Sequence, residues 1–364
     1  MDKGKIKKLN KYHVIFLVDK SIAGIALFSL PYFLRHVGVN MWMVLLMFGI
    51  LATLLLYPMV QLCKKYPNHS LFVMNEKLLG KYIGKLLNFF ILIYVTLQVA
   101  NESKFYVRLV QAITLPDFTI TPITLALFFV MTMIVNGGIK SIARFCILAW
   151  FLTMWLGYYS YWAFSDANFL HLVPRFDKSL QDWGLAFFEG SQLMLGFALI
   201  MFFFPYIQNQ KKSFKHATIG IWIGIVLMLL ISVASIVYFS EWQIENLLYP
   251  LLNLFQAVEL SNVERIETFG ISIYVLSTLA KASLLLWVAK KGVDALFSKH
   301  KNKTRHLYLM TGICLFIVLG PIPIRYQKIM YEEWIIYGGY CLISLPILLL
   351  FIHKIRNRKE ASTQ

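Results

Sequence analysis

Charge is scarce in this chain of 364 residues. Asp, Glu, Lys and Arg together make up 15% of it, against about a quarter in an ordinary water-soluble domain. Acids are the scarcer sign, 18 against 35 Lys and Arg, which leaves a formal net charge of +17. Cysteine is rarer still. Cys63, Cys146, Cys314 and Cys341 stand far apart with no C-x-x-C pair; that argues against a zinc ribbon or disulfide framework and for buried thiols. The eight histidines form no H-E-x-x-H, and there is no phosphate-cradling glycine loop. No metal, cofactor or enzymatic chemistry is expected from such a chain.

Apolar runs take the place of charge. Hydrophobic residues make up 59% of the chain, and several runs reach the roughly 20 residues that cross about 30 Å of hydrocarbon as a helix. Only a helix satisfies its own backbone polar groups in lipid. The expected fold is therefore all-α and integral to a membrane, a single polytopic domain over 1–364 with ten transmembrane helices. These spans are placed near 13–34, 39–62, 83–110, 122–135, 142–164, 183–206, 217–239, 265–289, 307–319 and 333–352. The fourth and ninth apolar cores are short and are expected to extend into their flanks. The basic start resembles a signal peptide, but the apolar stretch behind it is too long and lacks a small-residue cleavage site, so it is expected to remain.

A charge of +17 could suggest a nucleic-acid partner, but the placement of the bases argues against one. Twenty-five of the 35 Lys and Arg lie before span one and around the junctions after spans two, four, six, eight and ten. Asp166, Asp177, Asp182, Glu241, Glu245 and Glu259 lie in the intervening loops. That alternation predicts both termini in the cytoplasm. The inner loop 64–87 carries Leu71, Phe72, Leu78 and Leu79 among lysines and reads as an amphipathic helix on the inner membrane face. The outer loop 241–264, rich in leucine, is expected to hold a helix packed over the outer mouth.

Spans one and six share a pattern. The first has Gly24-Ile25-Ala26-Leu27 before Pro31-Tyr32; the sixth has Gly196-Phe197-Ala198-Leu199 before Pro205-Tyr206. Glycine weakens a helix by about 1 kcal/mol relative to alanine and proline removes a bond to the preceding turn, so helical bonding can lapse in each. Simple kinks are one explanation. The other is a 5+5 inverted repeat with broken helices one and six, whose matched interruptions point to a midplane binding site. Freed amides near Gly24, Ile25 and Ala26 and near Gly196, Phe197 and Ala198 would then face a ligand carboxylate. The apolar side chains there suit a small or aliphatic ligand.

Ionisable residues inside spans default to function. Asp19 and Lys20 lie in the inner part of span one, and Lys281 about eight residues from the expected inner end of span eight. The two lysines either snorkel to the surface or face the bundle. Glu102, with Lys104 and Arg108, occupies the outer third of span three, and Glu189 the outer third of span six; Glu102 and Arg108 are either a local pair or part of a site.

The whole chain resembles the B subunits of bacterial endospore germinant receptors, the spore germination permease family of the amino acid–polyamine–organocation superfamily. The resemblance rests on the stretch from Gly24 to Pro31, on Tyr66-Pro67, on Leu79-Gly80-Lys81, and on the segment from Gly138 to Arg144. Tyr249-Pro250 and Val263-Glu264-Arg265-Ile266-Glu267 add to it. It implies a subunit of the spore inner membrane that senses a small nutrient such as an amino acid. The implied partners are membrane lipid and A-type and C-type receptor subunits. Superfamily geometry would set Tyr94, Gln98, Ser277 and Thr278 beside the breaks, where they either bind ligand or join helices. By analogy with sodium-coupled relatives, the Lys281 ammonium is expected to replace a sodium ion and to pair with Asp19. Three functions remain open: nutrient receptor, proton-coupled amino acid transporter, and channel or scaffold subunit.

Overall fold

The computed structural model describes residues 8–22, 24–165, 168–256, 266–297 and 303–362. Among these it is helical almost throughout. Six helices are long and apolar enough to cross a membrane: Arg35–Lys65, Lys81–Ile113, Ile139–Ser165, Gln210–Tyr238, Ile266–Leu296 and Arg325–Arg356. They stand in the places expected of spans two, three, five, seven, eight and ten. Two bent pairs stand in the places of spans one and six. Lys11–Ser21 meets Gly24–Phe33 at 54°, and Leu180–Ser191 meets Leu195–Tyr206 at 44°. Two shorter apolar helices, Ile120–Asn136 and Thr304–Leu319, stand in the fourth and ninth places. Their expected extension is slight: 17 residues in the first rise about 26 Å, and the second is one residue shorter. Span four stops there because Gly137 and Gly138 follow, Gly138 with a left-handed φ of 78°, and span five begins at once.

Close approach of backbones organises the core. Span seven lies against the first half of span one, where a Cβ on Gly220 would overlap the Ile15 carbonyl. Such small-residue contacts are how helices associate where lipid removes the hydrophobic drive. Spans three and eight pack along much of their lengths. Leu54, Phe129, Phe151 and Phe316 point outward, as side chains facing lipid do.

The basic segments gather on one face. Lys8 and Leu9 donate backbone bonds of 2.8 and 2.9 Å to the Tyr206 carbonyl, and Gln208 returns one of 2.9 Å to Leu9. This short parallel clasp ties the segment before span one, termed the leader, to the end of span six. Lys85 donates to the Leu296 carbonyl, Tyr66 meets His353 at 2.7 Å, and Arg356 donates to the Lys77 carbonyl. On the opposite, acidic face Arg175 pairs with Glu241 at 2.6 Å and Lys178 with Glu245 at 3.8 Å.

Several local expectations change. The helix of the inner loop, Leu71–Leu79, turns its apolar face to protein. Its Leu71, Phe72, Met74, Asn75 and Leu78 are buried against protein, with Phe72 against Phe202 and Asn75 donating to Asn88. The buried asparagine pair needs protein partners, which a lipid surface could not supply. The acidic-side loop forms two short helices, Glu241–Asn246 and Pro250–Gln256, the second burying Leu251, Leu252, Leu254 and Phe255. Cys63, Cys146 and Cys314 are buried, but Cys341 is exposed on span ten. Lys3, Lys5, Lys7, Asp166, Glu259, Val263, Glu264, Arg265, Lys299 and Lys301 lie outside the described residues.

Candidate ligand-binding site

Helical bonding lapses in span one where the glycine pattern places it. Ile22 is extended, and Gly24 follows at φ 62°, a conformation that only glycine adopts without cost. A 3-10 segment, Gly24–Ser29, then leads into Pro31. The lapse leaves the Ile25 amide without a helical acceptor, and span three provides one. Ile25 donates to Glu102 Oε1 at 2.6 Å, while Glu102 Oε2 lies 3.0 Å from Lys281 Nζ. The Tyr274 hydroxyl donates to the Gly24 carbonyl at 2.6 Å. Spans one, three and eight thus meet at one buried carboxylate.

A cavity of about 350 Å3 opens above this junction toward the acidic side. Ile25, Ala26, Gln98, Glu102 and Lys281 line it, with Asn101, Lys104 and Arg108 further up span three. Gln192 enters from the break in span six, and Lys328, Tyr331 and Glu332 from the start of span ten. Four cationic side chains face two carboxylates, a balance that attracts an anionic group. Tyr249 in the acidic-side loop also contributes; burial raises its phenol pKa and nearby Arg108 lowers it.

The expected pairing of Asp19 with Lys281 is replaced by two separate pairs. Span eight runs to Leu296, beyond the apolar run, which puts Lys281 at the middle of the helix and opposite Glu102. Asp19 lies 3.9 Å from Lys20 instead. Lys20, and not Lys281, is the ammonium set among hydroxyls: it donates to Ser277 at 3.3 Å and Thr153 at 3.5 Å. Both lysines are buried, so neither snorkels.

The remaining candidate residues are placed differently. Gln98 donates to the Tyr94 hydroxyl at 2.7 Å, but only Gln98 lines the cavity. Thr278 donates to the Tyr274 carbonyl at 3.5 Å. Gly196 is pressed against the first break, so that a Cβ would overlap the Ser21 carbonyl; Phe197 and Ala198 are buried in the same 3-10 segment, Leu195–Leu199. Glu189 is clamped by Arg35 at 2.7 Å and His36 at 3.3 Å. It joins the end of span one to span six outside the cavity, while Glu102 bonds Ile25 and Lys281, and Arg108 is exposed and shares the cavity lining with Glu102. Sequence reasoning missed Tyr274, Thr153 and Arg35. Tyr274 stands one turn before Thr278, and mid-span polarity was its only signal.

Three comparisons bear on this arrangement. The family described as Spore germination protein matches residues 8–326. Spore germination protein GerQB of Bacillus cereus is 24% identical over 94% of this chain and 95% of its own. Spore germination protein A2 of Bacillus subtilis (strain 168) is 23% identical over 96% and 97%. Among solved structures, that of Mhp1 shares the fold at a TM-score of 0.66 and 10% identity, covering 93% of this chain and 78% of that one. Mhp1 is a nucleobase-cation-symport-1 family transporter, solved in a closed conformation with bromovinylhydantoin bound. With two broken helices meeting at one buried junction and a family match over most of its length, this multi-pass membrane protein belongs to the spore germination protein family.

Proposed function

We propose that this chain is the nutrient-sensing membrane subunit of a spore germinant receptor, and that it binds a small zwitterion such as an amino acid in the cavity above the Glu102 junction. The observation that carries this reading is the Ile25 amide, the Glu102 carboxylate and the Lys281 ammonium held together at the cavity floor. The volume, about 350 Å3, is at the small end of ligand pockets. A ligand ammonium can pair with Glu102, which frees the Ile25 amide and Lys281 for the ligand carboxylate. That exchange moves span three relative to spans one and eight, and A-type and C-type subunits read the shift. The resident carboxylate makes binding a swap of partners, which keeps the charges compensated.

The proposal includes ten spans in a 5+5 inverted repeat within one domain, with the basic face and both termini cytoplasmic. The bends in spans one and six, five places apart in chain order, support the repeat; the clustering of bases on one face supports the orientation.

Calorimetric titration of the purified full chain with a panel of amino acids tests the reading. Saturable binding of at least one, weakened in Glu102→Gln, is the expected result. No binding by any member would favour a channel or scaffold subunit. The shared fold with Mhp1 favours a second reading, a proton-coupled amino acid transporter. Uptake of labelled amino acid into proteoliposomes distinguishes it, since a receptor binds without accumulation.

A further inference from the structure

A second cavity, of about 280 Å3, opens on the basic face. Four of its lining residues are Lys8, Lys140, Lys290 and Lys291, contributed by the leader, the start of span five and the end of span eight. No carboxylate is among its described lining residues. Asp294, one turn beyond Lys290, is shared between Lys290 at 3.2 Å and His306 at 2.7 Å. Lys291 lies over the rings of Trp287 and Tyr206, 5.6 and 5.9 Å from their centroids. Lysines spread over a flat inner surface are dispersed by water and salt. Four around one concavity focus their field and favour an anion within it.

The leader adds a second observation. Lys8 is held by the backbone clasp to Tyr206, and Tyr206 is itself a wall of the cavity. An anion bridging Lys8 to Lys140 and Lys291 would therefore fasten the leader across spans five, six and eight. Lysine ammonium groups bind phosphate well as point charges.

We propose that this cavity binds a phosphate group, offered by an acidic lipid headgroup or by soluble phosphate, and that its occupancy holds the clasp between the leader and span six closed. The site is separate from the ligand cavity; only the leaflet it faces rests on the proposed orientation.

Hydrogen exchange of the Lys8, Leu9 and Gln208 amides reads the clasp in the full chain. One arm uses phosphatidylcholine nanodiscs titrated with inorganic phosphate at constant ionic strength. The other uses nanodiscs containing phosphatidylglycerol in a buffer without inorganic phosphate. If the anion binds only the clasped state, exchange slows about tenfold at ten times the dissociation constant. Slowing in the first arm alone identifies soluble phosphate, in the second alone a headgroup, and in both a site open to either. Lys140→Gln and Lys291→Gln, made separately, should each reduce the protection while leaving the clasp's backbone bonds in place. No slowing in either arm, or equal slowing in both variants, overturns the proposal.

Discussion

Glu102 reaches from span three into the break of span one, with one oxygen 2.6 Å from the Ile25 amide and the other 3.0 Å from the Lys281 ammonium. The opened helix is thus capped by the protein's own side chain. Tyr274 and Gly24 hold the other side of the same turn.

The pair should behave as a unit. Removing one member of a buried ion pair strands the other charge, at a cost of about 3–5 kcal/mol. Lys281→Met and Glu102→Gln should each lower the melting temperature of the protein in nanodiscs, and the double variant should be less destabilised than their sum. Asp19→Asn with Lys281→Met should show the smaller coupling, because the ammonium beside Asp19 is that of Lys20. Additive losses for the Glu102–Lys281 cycle would show that the contact carries no coupling.

Two glycines should be intolerant of a single methyl. A Cβ at Gly196 would overlap the Ser21 carbonyl, a backbone atom that cannot rotate away, and one at Gly24 would overlap Glu102 Oε1. Gly196→Ala and Gly24→Ala should weaken or abolish amino acid binding while the protein still reaches the membrane. Gly312, with nothing within 4 Å of an added Cβ, is the control, and Gly312→Ala should leave binding unchanged. Full binding in Gly196→Ala refutes the abutting breaks.

Lys20 fills an oxygen-lined space among Asp19, Ser277 and Thr153. Because the chain brings its own cation there, ligand affinity should be the same in sodium and in choline buffers. Lys20→Met leaves Asp19 without its ammonium, and sodium should then raise the thermal stability of that variant. A sodium requirement in the unmodified protein would contradict this assignment.

The bases on one face predict sidedness. A membrane-impermeant thiol reagent applied to intact cells should label Glu245→Cys and spare Lys64→Cys and Lys212→Cys, against a background in which the native cysteines are replaced. Labelling at position 64 from outside would reverse the topology.

Residue order alone determined that the chain lives in a membrane, because apolar runs of spanning length leave the backbone no other way to satisfy itself. It also located the break in span one, since Gly24 takes a backbone angle that other residues resist. The alternation of bases and acids along the chain carried the division into two faces, a one-dimensional property that folding preserves. What linear order could not decide was which charges meet. Asp19 and Lys281 shared an expected depth, yet helix length set Lys281 at mid-span, and the rotation of spans three and eight about their axes turned it toward Glu102. Glu189 likewise went to Arg35 and His36 because the two breaks bring the end of span one beside span six. The inner-loop helix had the pattern of a surface helix, and only the presence of Asn88 and Phe202 beside it made burial favourable. Partner choice depends on axial rotation and on contacts between residues far apart in sequence. Those are set when the helices pack, after their individual identities are already fixed.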